Sequence, residues 1–441
     1  METAHTEIPV DAVVFRQDLY PRLKHNPVLV QRYAQDLSVL PPIELNQDRI
    51  LIDGWNRWTA HKSEKAETIK VITTHTESDA QLLDLAVERN ASHGEQLDRS
   101  DKKALSLRMY AATPSDLRKG KKEHLCKLFS VSASTMADWC SDLDTVEREA
   151  RLKRIYDAWL ACDTQEVIAE REGIGRKTVD DYVQGFGGFS GSGIFAKNAA
   201  ALAVFQDGVD DEGDERWPVP IYNVWSTSKK TNKVSHFGNT EKRWLENLLY
   251  SYTDPFDIVV DPFAGGGSTI DVCKKRFRRY LVSDRAPIMA RASEIRKHDL
   301  LDGPLKPSQW KDVKLVFLDP PYWWQAKGKY SEDPTDLANM SLKDFNAALS
   351  GIINGYADKL SCGAHIALII QPTQWVAPER QFTDHVGDML KLANKDMLIV
   401  DMRFSAPYST EQYNAQQVNW AKENKRCLVL TREIIVWKVV K

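Results

Sequence analysis

The sequence predicts an α/β protein whose C-terminal half is a mostly parallel, helix-covered sheet, preceded by a small α+β domain and a helical region. Downstream of residue 217, amphipathic helical stretches alternate with four apolar or β-branched segments: IVVDPFAGGGSTIDVCKKR, RRYLVSDRA, VKLVFLDPPY and AHIALIIQP. Such alternation is typical of a parallel sheet. Upstream, short strands are predicted around ILID and TIKVITT, and residues 78–183 show helical periodicity. The last segment, RCLVLTREIIVWKVVK, predicts an antiparallel hairpin that closes the sheet.

Length and composition set the broad class. A chain of 441 residues is too long for one ordinary core, so two or three domains are expected. The balance of 42% hydrophobic and 27% charged residues is typical of soluble globular proteins. No apolar run approaches a membrane span, and the start METAHTEIPVDAV lacks a secretory pattern. We therefore expect a cytoplasmic protein without a membrane partner.

Cysteine spacing and net charge each exclude one further kind of site or surface. The six cysteines are scattered, with no C-x-x-C pair and no histidine cluster, so no metal site is expected. A formal charge of −3 gives no global cationic field, so any contact with nucleic acid must come from local basic patches.

The main domain boundary is predicted within residues 184–216, where a Gly/Ser cluster is followed by an acidic run. The predicted organisation is therefore a small α+β domain at 1–98, a helical region at 99–183, a linker at 184–216 and the helix-covered sheet at 217–441.

A glycine-rich turn follows the apolar run 258–260 and precedes a predicted helix. Glycines let the backbone come close to a ligand, because side chains would block the approach and strain positions of positive φ. On this pattern alone, a tight turn without a ligand is an equal alternative. The candidate cofactor-binding residues of the turn are Asp261, Pro262, Phe263, Ala264, Gly265, Gly267, Ser268 and Thr269.

The string DPFAGGGST resembles the first motif of the DNA amino-methyltransferases, which act on adenine N6 or cytosine N4. The resemblance implies a Rossmann-like, S-adenosylmethionine-dependent methyltransferase fold. In it, Gly265 and Gly267 would face the methionine portion and Asp284 would accept from the ribose hydroxyls. Asp299 is implied as the acceptor for the cofactor adenine, although a loop aspartate could also be a cap. The lead-in around His236 is similar to the family's element before this motif, without its prolines, and could equally be a hydrophobic staple.

The most specific signal is Asp319-Pro320-Pro321-Tyr322, which follows the predicted strand 316–318. Two prolines stiffen the turn and fix the Asp319 carboxylate and the Pro320 carbonyl in space. An exocyclic amino nitrogen is a poor nucleophile because its lone pair is delocalised into the ring. Two acceptors aimed at its hydrogens favour the pyramidal nitrogen that can attack a methyl group. The four residues are therefore the predicted catalytic set, with Tyr322 as a face on which an extruded base can stack.

Several alternatives remain open around this turn. Trp323 and Trp324 could contact the base or DNA, or could pack in a core or lid. No cysteine has a proline-cysteine context, which disfavours methylation at cytosine C5. The DPPY form resembles adenine enzymes more than cytosine-N4 enzymes, which more often have SPPY. Polar insertions at 325–345 and 376–425 could touch DNA.

The N-terminal stretch ILIDGWNRWTA, followed by TIKVI, resembles the strand, Gly-x-x-Arg turn and helix of the ParB/sulfiredoxin-like fold. The resemblance implies that Arg57 holds a phosphate, as on DNA. The alternative is an ion pair between Asp53 and Arg57 at a helix start. Trp55 and Asn56 stand where nucleotide-gated ParB proteins have an acid and a base, which disfavours CTP binding.

Two segments, 122–140 and 164–183, have the pattern of a helix, a short turn and a polar second helix. Such units either bind DNA or serve as plain packing units. Their second helices would offer two sets of residues to a groove: Ser132, Ser134 and Thr135, or Arg176, Lys177 and Thr178.

The sequence thus predicts a site-specific DNA methyltransferase that uses S-adenosylmethionine and acts on adenine N6 in preference to cytosine N4. Two other readings are methylation of RNA or glutamine, and a ParB-like DNA-binding regulator with a non-catalytic methyltransferase fold. The module combination resembles phage or mobile-element methyltransferases, in bacterial or phage-infected cytoplasm. Whether the protein is a homodimer, and whether a restriction nuclease acts with it, stays open.

Overall fold

The computed structural model describes residues 6–92, 97–114, 117–187, 208–209, 215–216, 220–226, 240–374, 382–407 and 413–441. The chain divides into two compact units, Met1–Ala150 (unit 1) and Arg151–Lys441 (unit 2). The predicted domain limits stay a prediction, since much of the predicted linker lies outside the described residues. Within the described ranges, no helix is long and apolar enough to cross a membrane.

Unit 1 begins with an α+β part. Its elements are β1 (Thr6–Pro9), α1 (Pro27–Ala34), β2 (Ile43–Leu45), β3 (Leu51–Asp53), α2 (Trp55–Ser63) and β4 (Thr68–Thr73). The strands form one sheet in the order β1-β4-β2-β3, in which only the β2 and β4 pair is parallel. Ile43, Leu51 and Trp58 are buried between this sheet and its helices. The strands predicted around ILID and TIKVITT are therefore confirmed.

Helices follow: α3 (Asp79–Ser92), α4 (Arg99–Ala111), α5 (Arg118–Phe129) and α6 (Ala133–Leu160). In unit 1 they share a core that includes Val87, Leu105, Phe129 and Met136. Ser130, at a φ of +52°, separates α5 from α6, so the first predicted helix pair lies where the sequence placed it. Its DNA-binding role stays a prediction.

Unit 2 contains a seven-stranded sheet. Its strands are β7 (Ile258–Asp261), β8 (Arg279–Asp284), β9 (Arg296–Lys297), β10 (Val313–Leu318), β11 (His365–Ile370), β12 (Leu398–Pro407) and β13 (Thr431–Val439). Two short strands, β5 (Gly208–Val209) and β6 (Glu215–Arg216), pair separately. The helices are α7 (Gln165–Glu172), α8 (Arg176–Gly187), α9 (Lys242–Tyr252), α10 (Ser268–Lys275), α11 (Leu342–Lys359), α12 (His385–Leu392) and α13 (Ala415–Glu423).

The strand order is β12-β13-β11-β10-β7-β8-β9, and β13 runs antiparallel to both of its neighbours. Along β10, Leu315 and Phe317 enter one core, whereas Val316 and Leu318 enter the other. Both faces of the sheet are thus buried, as a parallel sheet requires. The predicted Rossmann-like α/β fold is confirmed.

The predicted C-terminal hairpin is wrong in its first strand. Residues 427–430 form no strand, and the antiparallel partners of β13 are β11 and β12. Helix α13 lies between them in the chain. The apolar letters of CLVL resemble a strand, but the sheet positions beside β13 are filled by β11 and β12.

The second predicted helix pair belongs to unit 2. Thr164 caps α7, and Gly173 at a φ of +63° ends it. Ile168 and Val179 are buried in the same core as Val259 of β7. The pair therefore packs with the sheet, and its DNA-binding role stays a prediction.

The end of α6 is also fixed to the sheet. The Arg279 guanidinium lies 5.0 Å from the Trp159 ring centroid, and its Nε donates to the Trp159 carbonyl oxygen over 3.3 Å. Arg296 donates to the carbonyl oxygens of Ala161 and Cys162, each over 3.1 Å. These contacts hold residues 159–162 at the β8 and β9 side of the sheet.

Candidate active site

The glycine-rich turn joins β7 to α10. Gly265 and Gly267 have φ values of +49° and +81°, so both positions need a left-handed backbone. A Cβ added at Gly267 would lie 2.8 Å from Nη1 of Arg291. The same Arg291 nitrogen donates to the Gly267 carbonyl oxygen over 3.0 Å. A side chain would therefore strain the backbone at both positions and would also meet Arg291 at Gly267, which explains the glycines.

Asp261, at the end of β7, holds this turn from inside. Only 2% of it is exposed, and it accepts from Thr269 Oγ1 over 2.5 Å and from the Phe263 amide over 2.9 Å. Burial raises the pKa of Asp261 to about 7, against the opposite effect of these two hydrogen bonds, with Asp319 and Asp284 adding to the rise. Both carboxylate oxygens serve the turn itself.

Asp284 connects the end of β8 to the same turn. Its Oδ2 accepts from the Gly265 amide over 3.0 Å and its Oδ1 accepts from the Ala286 amide over 2.9 Å. The side chain is partly exposed. A carboxylate thus lies beside the glycine backbone at the edge where the strands end.

Asp299 caps a short 3-10 helix, as the alternative from the sequence allowed. It accepts from the Leu301 amide over 3.0 Å and pairs with Arg285 Nε over 3.0 Å. Arg285 also pairs with Asp333 over 2.8 Å. Arg285 therefore links the segment after β8 to the insertion that follows β10.

Asp319 follows β10 directly and lies next to the glycine turn. The sheet order reverses between β7 and β10, which pair in parallel. In open α/β sheets, ligands bind in the crevice at the carboxyl ends of the strands on either side of such a reversal. The two strongest sequence motifs thus meet at the position where the fold favours a ligand.

Two hydroxyl groups donate to the Asp319 carboxylate. Thr240 Oγ1 donates to Oδ2 over 2.5 Å, and the Tyr322 phenol donates to Oδ1 over 3.0 Å. Burial raises the pKa of Asp319, whereas Arg432 and these two hydrogen bonds lower it. The carboxylate therefore sits among neutral donors and one nearby cation.

The two tryptophans after the motif have different surroundings. Trp323 is 8% exposed, and its Nε1 donates to the Met340 carbonyl oxygen over 3.0 Å. Trp324 is 38% exposed at a φ of +62°, with Lys327 Nζ 3.8 Å from its ring centroid. The placement favours packing for Trp323 and leaves Trp324 at the surface.

Three residues near Asp319 were not predicted. Thr240 lies within the lead-in 236–242 and gave a weak signal, since it precedes a helix start. Arg432 is a charged residue near the start of a largely apolar strand, which gave a weak signal. Tyr330 lies in the 325–345 insertion; burial, Asp319 and Asp284 together raise its pKa to about 12. His236 lies outside the described residues.

The N-terminal candidate, Arg57, is bound to its own chain. Its Nη2 donates to Asp53 over 2.8 Å, and its Nη1 donates to the carbonyl oxygens of Pro41 and Pro42 over 3.3 and 3.0 Å. The side chain is 16% exposed. This is the ion-pair arrangement that the sequence left open.

The candidates on α8 are at the surface. Arg176, Lys177 and Thr178 are all exposed, and Arg176 Nε lies 3.0 Å from Glu166 Oε1. An exposed pair of this kind contributes little stability, so Arg176 can exchange partners.

The model of the DNA methylase family of N6 and N4 enzymes matches residues 134–293. The match includes the glycine turn and Asp284 and ends before Asp319. This finding agrees with the resemblance drawn from the motifs. A comparison with curated proteins found no match.

Solved structures similar to parts of the chain include a Pnob8-like ParB-N domain (16% identity, 31% of this chain and 68% of that chain, TM-score 0.25). Another is TrmN from Thermus thermophilus (13% identity, 42% of this chain and 45% of that chain, TM-score 0.25). A third is an rRNA methylase from Streptococcus thermophilus (12% identity, 46% of this chain and 98% of that chain, TM-score 0.28).

Proposed function

We propose that the protein is a DNA methyltransferase that uses S-adenosylmethionine and methylates the exocyclic amino group of a base, with adenine N6 favoured over cytosine N4. The observation that carries this proposal is the position of Asp319. It lies at the carboxyl end of β10, beside the glycine turn after β7, where the strand order reverses. The DNA methylase family match supports the same chemistry.

The residues present fit the cofactor. Asp284 offers a partly exposed carboxylate beside the Gly265 backbone, which suits a ribose diol. The left-handed Gly265 and Gly267 leave a turn without side chains, which suits close approach of a ligand. When bound, S-adenosylmethionine supplies an electrophilic methyl group on a positively charged sulfur. The nearby carboxylates of Asp284 and Asp319 suit that charge.

Asp319 is the proposed acceptor for one amino hydrogen of the base, and the Pro320 carbonyl for the other. Both Asp319 oxygens already accept from hydroxyl groups, those of Thr240 and Tyr322, so hydrogen-bond donors can reach either oxygen. A donor from outside the chain would approach the carboxylate in the same way. Both hydroxyls can rotate away when an amino group arrives. Accepting the hydrogens concentrates the lone pair on nitrogen and stabilises its developing positive charge.

Tyr322 is the proposed stacking face for a base extruded from the helix. The ring is partly exposed, and its phenol is tied to Asp319. A base that stacks on the ring would bring its amino edge to the neighbouring carboxylate. Trp324 and the exposed Arg176, Lys177 and Thr178 are proposed DNA contacts.

The test is transfer of a radiolabelled methyl group from S-adenosylmethionine to duplex DNA, single-stranded DNA and RNA. Chromatography of the hydrolysed product separates N6-methyladenine from N4-methylcytosine. We expect label in DNA, and a loss of kcat of about 10²- to 10³-fold for Asp319→Ala, since one charge-stabilising group is removed. Sequencing that detects modified bases then gives the target sequence.

The matched control is Asp358→Ala, which removes an exposed aspartate on α11. It should keep wild-type kcat. Cofactor affinity, measured by calorimetry, should not change in Asp358→Ala, whereas Asp319→Ala also removes one of the two carboxylates that suit the charge of the cofactor. Full activity of Asp319→Ala, or label confined to RNA or protein, would contradict the proposal.

A further inference from the structure

Arg432 lies over two aromatic rings beside the candidate acceptor. Its guanidinium carbon is 4.8 Å from the Tyr322 ring centroid and 5.9 Å from the Trp244 ring centroid. A guanidinium within about 6 Å of a ring centroid attracts the ring face. Tyr322 in turn donates to Asp319 over 3.0 Å. Cation, ring and carboxylate therefore form one connected group.

The sheet fixes where Arg432 stands. It is the second residue of β13, and it pairs with Ala406 of β12. The next strand on the other side is β11, followed by β10, which leads into Asp319. At Arg432 the strand pairs with β12, and the ladder to β11 begins at the next residue, Glu433. A strand backbone anchored in this way is stiffer than a loop.

Several charged or titratable groups face Asp319. Arg432 comes from β13, Asp261 from β7, and Tyr322 and Tyr330 from the segment after β10. Of these, Arg432 is a cation and Asp261 is an acid that shares the burial. The arginine therefore acts against burial and favours the ionised form of the Asp319 carboxyl.

We propose that Arg432 is a positioning residue: it orients the Tyr322 ring for the target base and holds a positive charge beside Asp319, so that the carboxylate is ready to accept from an amino group. This inference rests on the proposed function for its catalytic meaning. The physical coupling between Arg432 and Asp319 does not depend on methyl transfer and can be measured separately.

The first measurement is a double-mutant cycle with Arg432→Gln and Asp319→Asn, followed by thermal unfolding from pH 4 to pH 8. Protonated Asp319 is neutral and has little attraction for Arg432, whereas ionised Asp319 is attracted. We therefore expect the coupling in Tm to be near zero at low pH and to rise to about 2–4 °C at high pH. Asp261 and Tyr330 are present in all four proteins, so any change in their titration that follows from one substitution alone cancels in the cycle.

The matched control is Arg403→Gln, which removes an arginine of β12 that lies 3.7 Å from Glu433. It should show no coupling to Asp319→Asn at any pH. A coupling of Arg432 with Asp319 that is absent, or equal at pH 4 and pH 8, would overturn the inference. That result is independent of whether the wild-type protein methylates DNA.

The second measurement is the pH profile of kcat/KM for DNA. We expect the acid limb to move up by about one pH unit in Arg432→Gln, because the carboxylate has lost its cation. Arg432→Lys should have the acid limb of the wild type, because it keeps the positive charge. Its kcat/KM should be about 3-fold below that of the wild type, because the ammonium lacks the planar face of a guanidinium. A lower rate with an unmoved limb in Arg432→Gln would indicate a purely structural role.

If Arg432→Gln does not fold, Arg432→Lys decides by itself. A wild-type acid limb with a reduced rate supports the inference, and a limb shifted to higher pH contradicts it. An inactive wild-type protein with the expected coupling cycle would refute the proposed function and keep the Arg432 and Asp319 coupling.

Discussion

Two turns in this chain follow the same plan and have different surroundings. In unit 1, Asp53 ends β3, Gly54 takes a φ of +106°, and α2 begins. In unit 2, Asp261 ends β7, and two left-handed glycines lead into α10. Asp53 pairs with a cation, Arg57, whereas Asp261 accepts from two neutral donors, the Thr269 hydroxyl and the Phe263 amide.

The two turns differ in whether the polar groups beside them can take a new hydrogen-bond partner. Arg57 donates to one carboxylate and two carbonyl groups of its own chain. The acid beside the second turn, Asp319, accepts from two hydroxyls that can rotate. A strand, glycine and helix pattern therefore predicts a turn in both places, and the partners of the polar side chains separate a closed turn from one that suits a ligand.

Among the substitutions that test this comparison, Asp261→Asn is expected to have the largest effect, which is on the pH dependence of stability. The native carboxyl keeps its proton up to about pH 7, whereas the unfolded chain releases it near the ordinary value of 3.8. The native state thus binds more protons in this window, so its stability falls as pH rises from about 4 to about 7. The Asp261→Asn variant should not lose stability in this way between pH 4 and pH 7. The free energies of unfolding of the two proteins should therefore diverge by an amount on the order of a few kcal/mol over this range.

Thermal unfolding of wild type and Asp261→Asn across pH 4–8 measures this difference. Asp53→Asn is the matched control, because it changes the equivalent acid of the other turn. Equal pH slopes for wild type and Asp261→Asn would show that the buried acid is not protonated in the native protein.

The next effect compares the glycines of the two turns. An alanine at Gly54 would place its Cβ 2.6 Å from Cγ2 of the buried Ile43. The cost is about 1–2 kcal/mol for the positive φ and ~1–3 kcal/mol for crowding. Gly267→Ala meets the flexible Arg291 side chain, so mainly the cost of φ applies.

We expect Gly54→Ala to lower stability more and Gly267→Ala to lower affinity for S-adenosylmethionine more. Unfolding by denaturant and titration calorimetry measure the two quantities. Cofactor affinity that falls in Gly54→Ala, with Gly267→Ala unaffected, would reverse the assignment of the two turns.

The smallest effect is expected from Arg57→Ala. It removes an ion pair and two hydrogen bonds to carbonyl groups, which should lower stability by about 1–3 kcal/mol. Affinity for cytidine triphosphate should be negligible before and after the change. Tight binding of that nucleotide to wild type, lost in Arg57→Ala at unchanged stability, would show that the first turn is also a ligand site.

Much of the fold was predictable because local signals agreed with the global arrangement. The alternation of apolar runs and helices gave the parallel sheet, and the glycine and proline motifs gave the turns after β7 and β10. The final hairpin was wrong because CLVL has a strand-like composition, and composition does not say which strand fills a sheet position. The sheet places β13 between β11 and β12.

The two turns of the candidate site could be predicted from the sequence, whereas the residues that reach Asp319 from other parts of the chain could not. Thr240 and Arg432 reach Asp319 from positions far away in the chain, and no local pattern encodes such contacts. Trp323 and Trp324 are neighbours of identical type, yet one is buried and one is exposed. Sequence order alone does not separate them, because the backbone at Trp324 takes a positive φ.

The placement of β13 between two strands that precede it in the chain has a consequence for biosynthesis. The strand carries Arg432 and sits between β11 and β12, so the ribosome must release residues 431–439 before the gap between those strands can close. Until then, nascent β11 and β12 each expose an unpaired edge. Pairings over such long stretches of chain form slowly. The growing polypeptide therefore passes through an aggregation-prone interval, in which a chaperone that covers strand edges would raise the yield of folded protein.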